Sequence, residues 1–110
     1  MNLSVNKIIA LELKSHMGKS MSFGTEETDI KQHQVDSLMN ARSGGAVAGL
    51  VLNYREVCET YFVPIYEFWM FAQTADKKSI NVRDAAEIGK RMLSKKLRTT
   101  YRYDVSVLWR

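Results

Sequence analysis

Leu11-Glu12-Leu13-Lys14 decides how this chain is read. Ile8, Ile9, Ala10, Leu11 and Leu13 are apolar, so the segment from about Lys7 to Lys14 predicts a buried β-strand carrying one acid and one amine. Strand side chains alternate between faces, so Glu12 and Lys14 project on the same side. Two opposite charges on a buried strand are costly unless they pair or bind something. A Glu-x-Lys pair held in this way can position a divalent cation and a water beside a phosphate, the chemistry of a metal-dependent nuclease. The same tripeptide on an exposed strand is only a solvated ion pair, and the spacing alone leaves both readings open.

Working outward, 110 residues predict one domain, 1–110. No apolar run approaches the length of a membrane span, and the N-terminus lacks the pattern of a secretory signal, so a membrane partner is not expected. Cys58 is the one cysteine; it excludes an internal disulfide and a cysteine-based zinc cluster, and reads as a small strand residue in a reducing, intracellular setting. The net charge of +4 is unevenly spread. From Lys90 onward the chain holds Lys90, Arg91, Lys95, Lys96, Arg98, Arg102 and Arg110 against a single acid, Asp104. Such a basic segment suits a polyanion, nucleic acid being the usual one, or is simply a solubilising face.

After the first strand, Gly18 and Gly24 punctuate a loop, and Thr25 or Thr28 is expected to cap a helix running to about Arg42, stopped by Ser43-Gly44-Gly45. Ala46 to Leu52 is a continuous apolar run ending near Tyr54. It predicts a central strand covered on both faces, with Ala46, Ala48 and Gly49 small enough for a helix to pack closely. Arg55 to Cys58 predicts a turn and Glu59 to Val63 a strand, and Pro64 opens a short aromatic helix from Ile65 to Ala72. Asp76 to Ser79 is a polar loop. Asn81, with Asp84 near it, caps a helix expected to reach Met92. Tyr101 to Leu108 is a last strand or a short closing element. The sum is an α/β domain, a small mixed β-sheet flanked by helices.

The ordered set Leu11-Glu12-Leu13-Lys14, Gln32-His33-Gln34-Val35 with Leu38-Met39, Gly44-Gly45, Glu59-Thr60-Tyr61 with Pro64, Phe68-Trp69, Lys78-Ser79-Ile80 and Tyr103-Asp104 resembles the RecU-type Holliday junction resolvases of the PD-(D/E)xK nuclease superfamily. The resemblance covers about residues 8–108. It implies a restriction-endonuclease-like fold, a homodimer acting on branched DNA in the cytoplasm of a bacterial or phage-infected cell, and Mg2+ or Mn2+ as cofactor. It also implies Glu12 as metal ligand, the Leu13 carbonyl as a further metal contact, and Lys14 as the residue that positions or polarises the attacking water.

Gln34 shares a helical stripe with Ile30 and Leu38, and an amide within an apolar stripe must find partners. It reaches either the catalytic water, metal or DNA backbone, or a nearby carbonyl; His33, off the stripe, reads as a surface residue. Phosphate contacts are expected from Lys77, Lys78, Lys90, Arg91, Lys95, Lys96 and Arg98, with Arg42 and Arg55 as further candidates. The aromatic residues Tyr61, Phe62, Tyr66, Phe68, Trp69 and Phe71 read as core rather than as a base-stacking platform, and Met17 and Met21 as a dimer contact.

The family pattern places an aspartate upstream of the Glu-x-Lys strand, whereas Glu12 is the first acid of this chain. The expectation is that the N-terminal part carrying that aspartate is missing. Two alternatives stand: a migrated carboxylate among Glu26, Glu27, Asp29 and Asp36, or a protein that binds junctions without cutting them.

Overall fold

The computed structural model describes residues 8–92, 94–97 and 100–103, the last two stretches as backbone alone. Its centre is a four-stranded mixed sheet in the order β1-β3-β4-β6. Strand β1 (Ile9–His16) runs parallel to β3 (Val47–Tyr54), β3 is antiparallel to β4 (Glu59–Pro64), and β4 is antiparallel to β6 (Lys90–Met92). Parallel neighbours need a crossover, and α1 (Gln32–Ser43) supplies it between β1 and β3. Helices α2 (Ile65–Thr74) and α3 (Val82–Ile88) pack on the same face of the sheet as α1, around Leu50, Leu52, Tyr54, Tyr61 and Val63. On the opposite face Val51, Phe62 and Met92 form a second, smaller cluster. Two short strands, β2 (Ser20–Ser22) and β5 (Ser79–Asn81), pair separately, and β7 (Ser94–Leu97) pairs antiparallel with β8 (Thr100–Tyr103). No helix among the described residues is long and apolar enough to cross a membrane.

The α/β organisation expected from sequence is present, with five local corrections. First, β1 is an edge strand among the described residues, not a buried one. Its residues alternate, with Ile9, Leu11 and Leu13 exposed and Ala10, Glu12, Lys14 and His16 half-buried. Second, α1 starts at Gln32 rather than at Thr25 or Thr28. The threonines bond locally instead: the Thr28 hydroxyl lies 2.9 Å from the Thr25 carbonyl oxygen, and the Glu27 amide donates to the Thr25 hydroxyl. Short hydroxyl side chains compete with the helix in this way. Third, α3 ends at Ile88 and β6 follows. A Cβ at Gly89 would lie 2.5 Å from the Phe62 carbonyl oxygen, so the glycine lets the chain press against β4 and turn into it.

Fourth, Gly49 admits a strand neighbour rather than a helix, because the Phe62 ring lies where its side chain would be. Fifth, Cys58 is exposed in the β3–β4 turn with φ of 56°, not in a strand. The Asn81 cap holds as expected: the Asp84 amide donates to the Asn81 side-chain oxygen at 2.8 Å and the Asn81 amide to the Asp84 carboxylate at 3.0 Å. The glycine stop of α1 also holds, with Gly45 at φ +99°, a backbone that glycine adopts without strain. The part of the expected closing element beyond Tyr103 lies outside the described residues.

Candidate active site

The period of two along β1 sorts its residues. Ala10, Glu12, Lys14 and His16 lie opposite Ala48, Leu50, Leu52 and Tyr54 of β3, on the helix-covered face. Because α1 runs back along the sheet between the parallel strands, its first turn comes close to the C-terminal end of β1. That end of a parallel pair, beside a helix start, is where α/β sheets commonly bind ligands.

Glu12 and Lys14 form an ion pair, Nζ to Oε2 at 3.9 Å, with the lysine side chain 18% and the glutamate side chain 37% exposed. The pair is neither splayed into solvent nor sealed in the core. An edge strand permits this: one flank packs on the apolar rows of β3 while water reaches the other, which limits the desolvation cost.

His16 continues the same row. Its Nδ1 stands 3.8 Å from the Asp29 carboxylate. Asp29 is anchored in turn, accepting from the Ser22 amide at 2.9 Å and the Ser22 hydroxyl at 3.2 Å. His16 went unnoticed in the sequence, although continuing the alternation past Lys14 would have found it. Asp29, one of the four carboxylates considered as a migrated ligand, meets His16 and not Glu12. At about 3.3 Å per residue, four residues along β1 separate the two positions by roughly 13 Å.

The other candidates are accounted for. Glu26 accepts from the His33 backbone amide at 2.7 Å and from the His33 ring, which together hold its carboxyl below the usual carboxylate range. Asp36 accepts from the Gln32 side chain at 3.0 Å, and Glu27 is exposed. Among the described residues, no group of three or more His, Cys, Asp or Glu side chains is placed to hold a metal. Magnesium is bound by hard oxygen ligands in near-octahedral geometry. Of those, the described residues at this position contribute the Glu12 carboxylate, with the Leu13 carbonyl on the same strand. They do not complete a two-carboxylate metal site.

Gln34 sits in the first turn of α1, half-buried, with its side-chain oxygen accepting from the Lys31 amide at 3.3 Å. Its carbonyl end is thus engaged at the helix start. His33 is a surface residue.

The basic residues divide by location. Lys77 pairs with Asp84 at 2.6 Å and belongs to the α3 cap. Lys78, Lys90 and Arg91 are exposed. Lys90 and Arg91 lie on β6, at the far edge from β1. Register places Arg91 in the cross-strand row of Lys14, Leu52 and Tyr61, about 14 Å from Lys14 at the usual strand spacing. Lys95 and Lys96 lie on the backbone of β7, and Arg98 lies outside the described residues.

Arg42 stacks over the Tyr66 ring at 4.7 Å, and Tyr66 stacks on Trp69. The aromatic set therefore splits: Tyr61, Phe62 and Phe68 are core, whereas Tyr66 and Trp69 are exposed. Met21 is fully buried in the core and cannot be a dimer contact, whereas Met17 is exposed.

No family model matches this chain. The chain is similar to a curated resolvase. The Holliday junction resolvase RecU of Listeria welshimeri is 22% identical over 85 residues, covering 66% of this chain and 42% of the relative. The chain thus spans less than half the length of that resolvase. The likeness suggests that family at most, and the mixed sheet with flanking helices is compatible with a nuclease-like domain.

Proposed function

We propose that this chain is a branched-DNA-processing module of the junction-resolving type, with a restriction-endonuclease-like fold. Glu12 and Lys14 are its catalytic pair, and the hydrolysis of phosphodiester bonds in four-way junctions requires Mg2+ or Mn2+. The supporting observation is the half-buried Glu12–Lys14 pair on the helix-covered face of β1. On this reading Glu12 would contribute one carboxylate to the metal ion, which would stabilise the charge developing on the scissile phosphate. Lys14 places its ammonium where a scissile phosphate or attacking water gains from a positive charge. Gln34 orients groups at the helix start. Lys78, Lys90, Arg91, Lys95, Lys96 and Arg98 supply backbone contacts, and a homodimer supplies two such sites to one junction.

A second reading has its own support: the single carboxylate favours a module that binds junctions without cutting them. One experiment separates the two. The purified chain is incubated with a labelled four-way junction and Mg2+, then Mn2+. Paired nicks that disappear in Glu12→Ala and in Lys14→Ala support resolution. Tight, junction-selective binding without nicks in either metal supports the binding module. Failure to prefer the junction over duplex DNA of equal length defeats both.

A further inference from the structure

Beyond the Glu12–Lys14 pair, a second place near the end of the sheet has the composition of an anion site. An open cleft of about 450 Å³ is lined by Lys19, Ser20, Val57, Asn81, Val82 and Arg83. Four segments build it. Lys19 and Ser20 follow the end of β1, Val57 belongs to the β3–β4 turn, Asn81 ends β5, and Val82 and Arg83 open α3. Three contacts fix these segments together. Ser20 pairs with Asn81 in the β2–β5 ladder, the Arg55 amide donates to the His16 carbonyl at 3.0 Å, and the buried Tyr54 hydroxyl donates to the Ile80 carbonyl at 3.0 Å. The arrangement is therefore held from beneath by a packed side chain rather than by loop residues alone.

The charges are asymmetric. Lys19 and Arg83 are exposed, and neither makes an ion pair among the described residues. Asp84, the acid next to Arg83, is committed to Lys77 and to the Asn81 cap. The competing acids are Glu56 in the β3–β4 turn and Glu87, one turn along α3 from Arg83; neither pairs with Lys19 or Arg83 among the described residues. The Ser20 hydroxyl and the Asn81 side-chain nitrogen make no hydrogen bond among the described residues, so the cleft lining holds two neutral donors as well as two cations. Cations together with hydroxyl and amide donors are the groups that contact nucleic-acid backbones.

Position gives the cleft its meaning. The row Glu12, Lys14, His16 ends with β1 at His16, and Lys19 follows three residues later, within about 11 Å of it along the chain. We infer that the Lys19–Arg83 cleft holds a phosphodiester of the same DNA strand whose scissile phosphate lies at Lys14. This deepens the proposed function and rests on it for the identity of the strand. The cleft reads backbone and not base, which suits a target recognised by shape. Neither Lys19 nor Arg83 belongs to the basic set expected from sequence, because one is isolated in a turn and the other lies on a helix start. Only the fold brings them to one cleft.

The test uses Lys19→Gln with Arg83→Gln in the full chain, both positions being exposed. Each lost phosphate contact should reduce the slope of log K against log[salt] by about 1. The double variant should therefore bind a four-way junction more weakly, with a slope flatter by about 2. In parallel, the amides of Ser20, Val57 and Arg83 should shift when a ten-residue oligothymidylate is titrated into labelled protein. Junction binding with an unchanged slope and unmoved amides overturns the cleft and leaves the functional reading intact. Moved amides without any preference for a junction over duplex uphold the cleft and overturn that reading. Shifts produced by inorganic phosphate and not by the oligonucleotide overturn the phosphodiester assignment in favour of a free-phosphate site.

Discussion

Strands β1 and β3 lie side by side in parallel register, eight residues against eight, yet they are built for different work. In β3 six of the eight positions are buried, both faces are covered, and Leu50, Leu52 and Tyr54 are fully enclosed. In β1 no position is buried; exposed and half-buried residues alternate along its length. The central strand is where burial energy is collected, and a charge there would have no water and no partner. The edge strand gives up burial and in exchange carries Glu12, Lys14 and His16 at one step from the core. The charged row of β1 rests on a rigid neighbour, because β3 is buried on both faces.

Truncation measures that contrast most directly. Leu50→Ala removes a fully enclosed side chain beneath the helices and should cost about 2–5 kcal/mol, as large-to-small core changes do. Leu13→Ala, at a position 59% exposed on the neighbouring strand, should cost a small fraction of that, about 0.5 kcal/mol or less. Denaturant melts of the two variants provide the comparison. Equal losses would mean that the outer face of β1 is covered in solution and that the edge is not free.

A smaller effect comes from the seam between β3 and β4. Gly49→Ala places a methyl 2.6 Å from both the Phe62 ring and the Val63 carbonyl oxygen. The ring can turn but the backbone oxygen cannot, so overpacking should cost about 1–3 kcal/mol. The same substitution should leave the Glu12–Lys14 pair in place, because Gly49 faces the opposite side of the sheet. A melting shift that leaves the backbone amides of Glu12 and Lys14 unmoved in the NMR spectrum would show that the two faces of the sheet respond separately.

The central strand was legible in sequence because its apolar run is continuous and bounded by glycines and a turn. The Asn81 cap was legible because its partner, Asp84, is three residues away. Edge or centre for β1 was not legible: Ile8 to Leu13 is as apolar as a buried strand, and only the pairing order reveals that no described strand lies beyond it. The end of α3 was hidden for a related reason. Lys90-Arg91-Met92 continues a helical pattern acceptably, and the decisive fact is the close approach of Gly89 to Phe62, a contact 27 positions distant in the chain. Within the site, Glu12 and Lys14 were found from period two. His16 lay one step further along that period and was passed over, because its partner Asp29 arrives by a loop whose course no local pattern encodes. Lys19 and Arg83 are 64 positions apart, and charge counting favoured the C-terminal run instead.

The weakest expected effect concerns the loop that carries Asp29 to His16 and then enters α1. Glu26 anchors the helix end of that loop through the His33 amide and ring, and a carboxylate beside a helix N-terminus is favoured by the unpaired amides there. The His33 hydrogen bond holds its carboxyl below the ordinary value of 4.5, so the folded protein resists protonation there more than the unfolded chain does. The contribution is therefore complete above about 4.5 and is lost as pH falls through the lower, folded value. Because Glu26 is exposed, the loss should show as fraying rather than as global unfolding. Amide hydrogen exchange in the first turn of α1 should quicken on acidification below that value, once the intrinsic pH dependence is removed, while β3 amides stay protected. In Glu26→Gln the first turn should exchange faster already at neutral pH and lose its additional acid dependence. If the β3 amides loosened together with α1, the loop and the central strand would form one cooperative unit, and the division of labour between β1 and β3 would have to be redrawn.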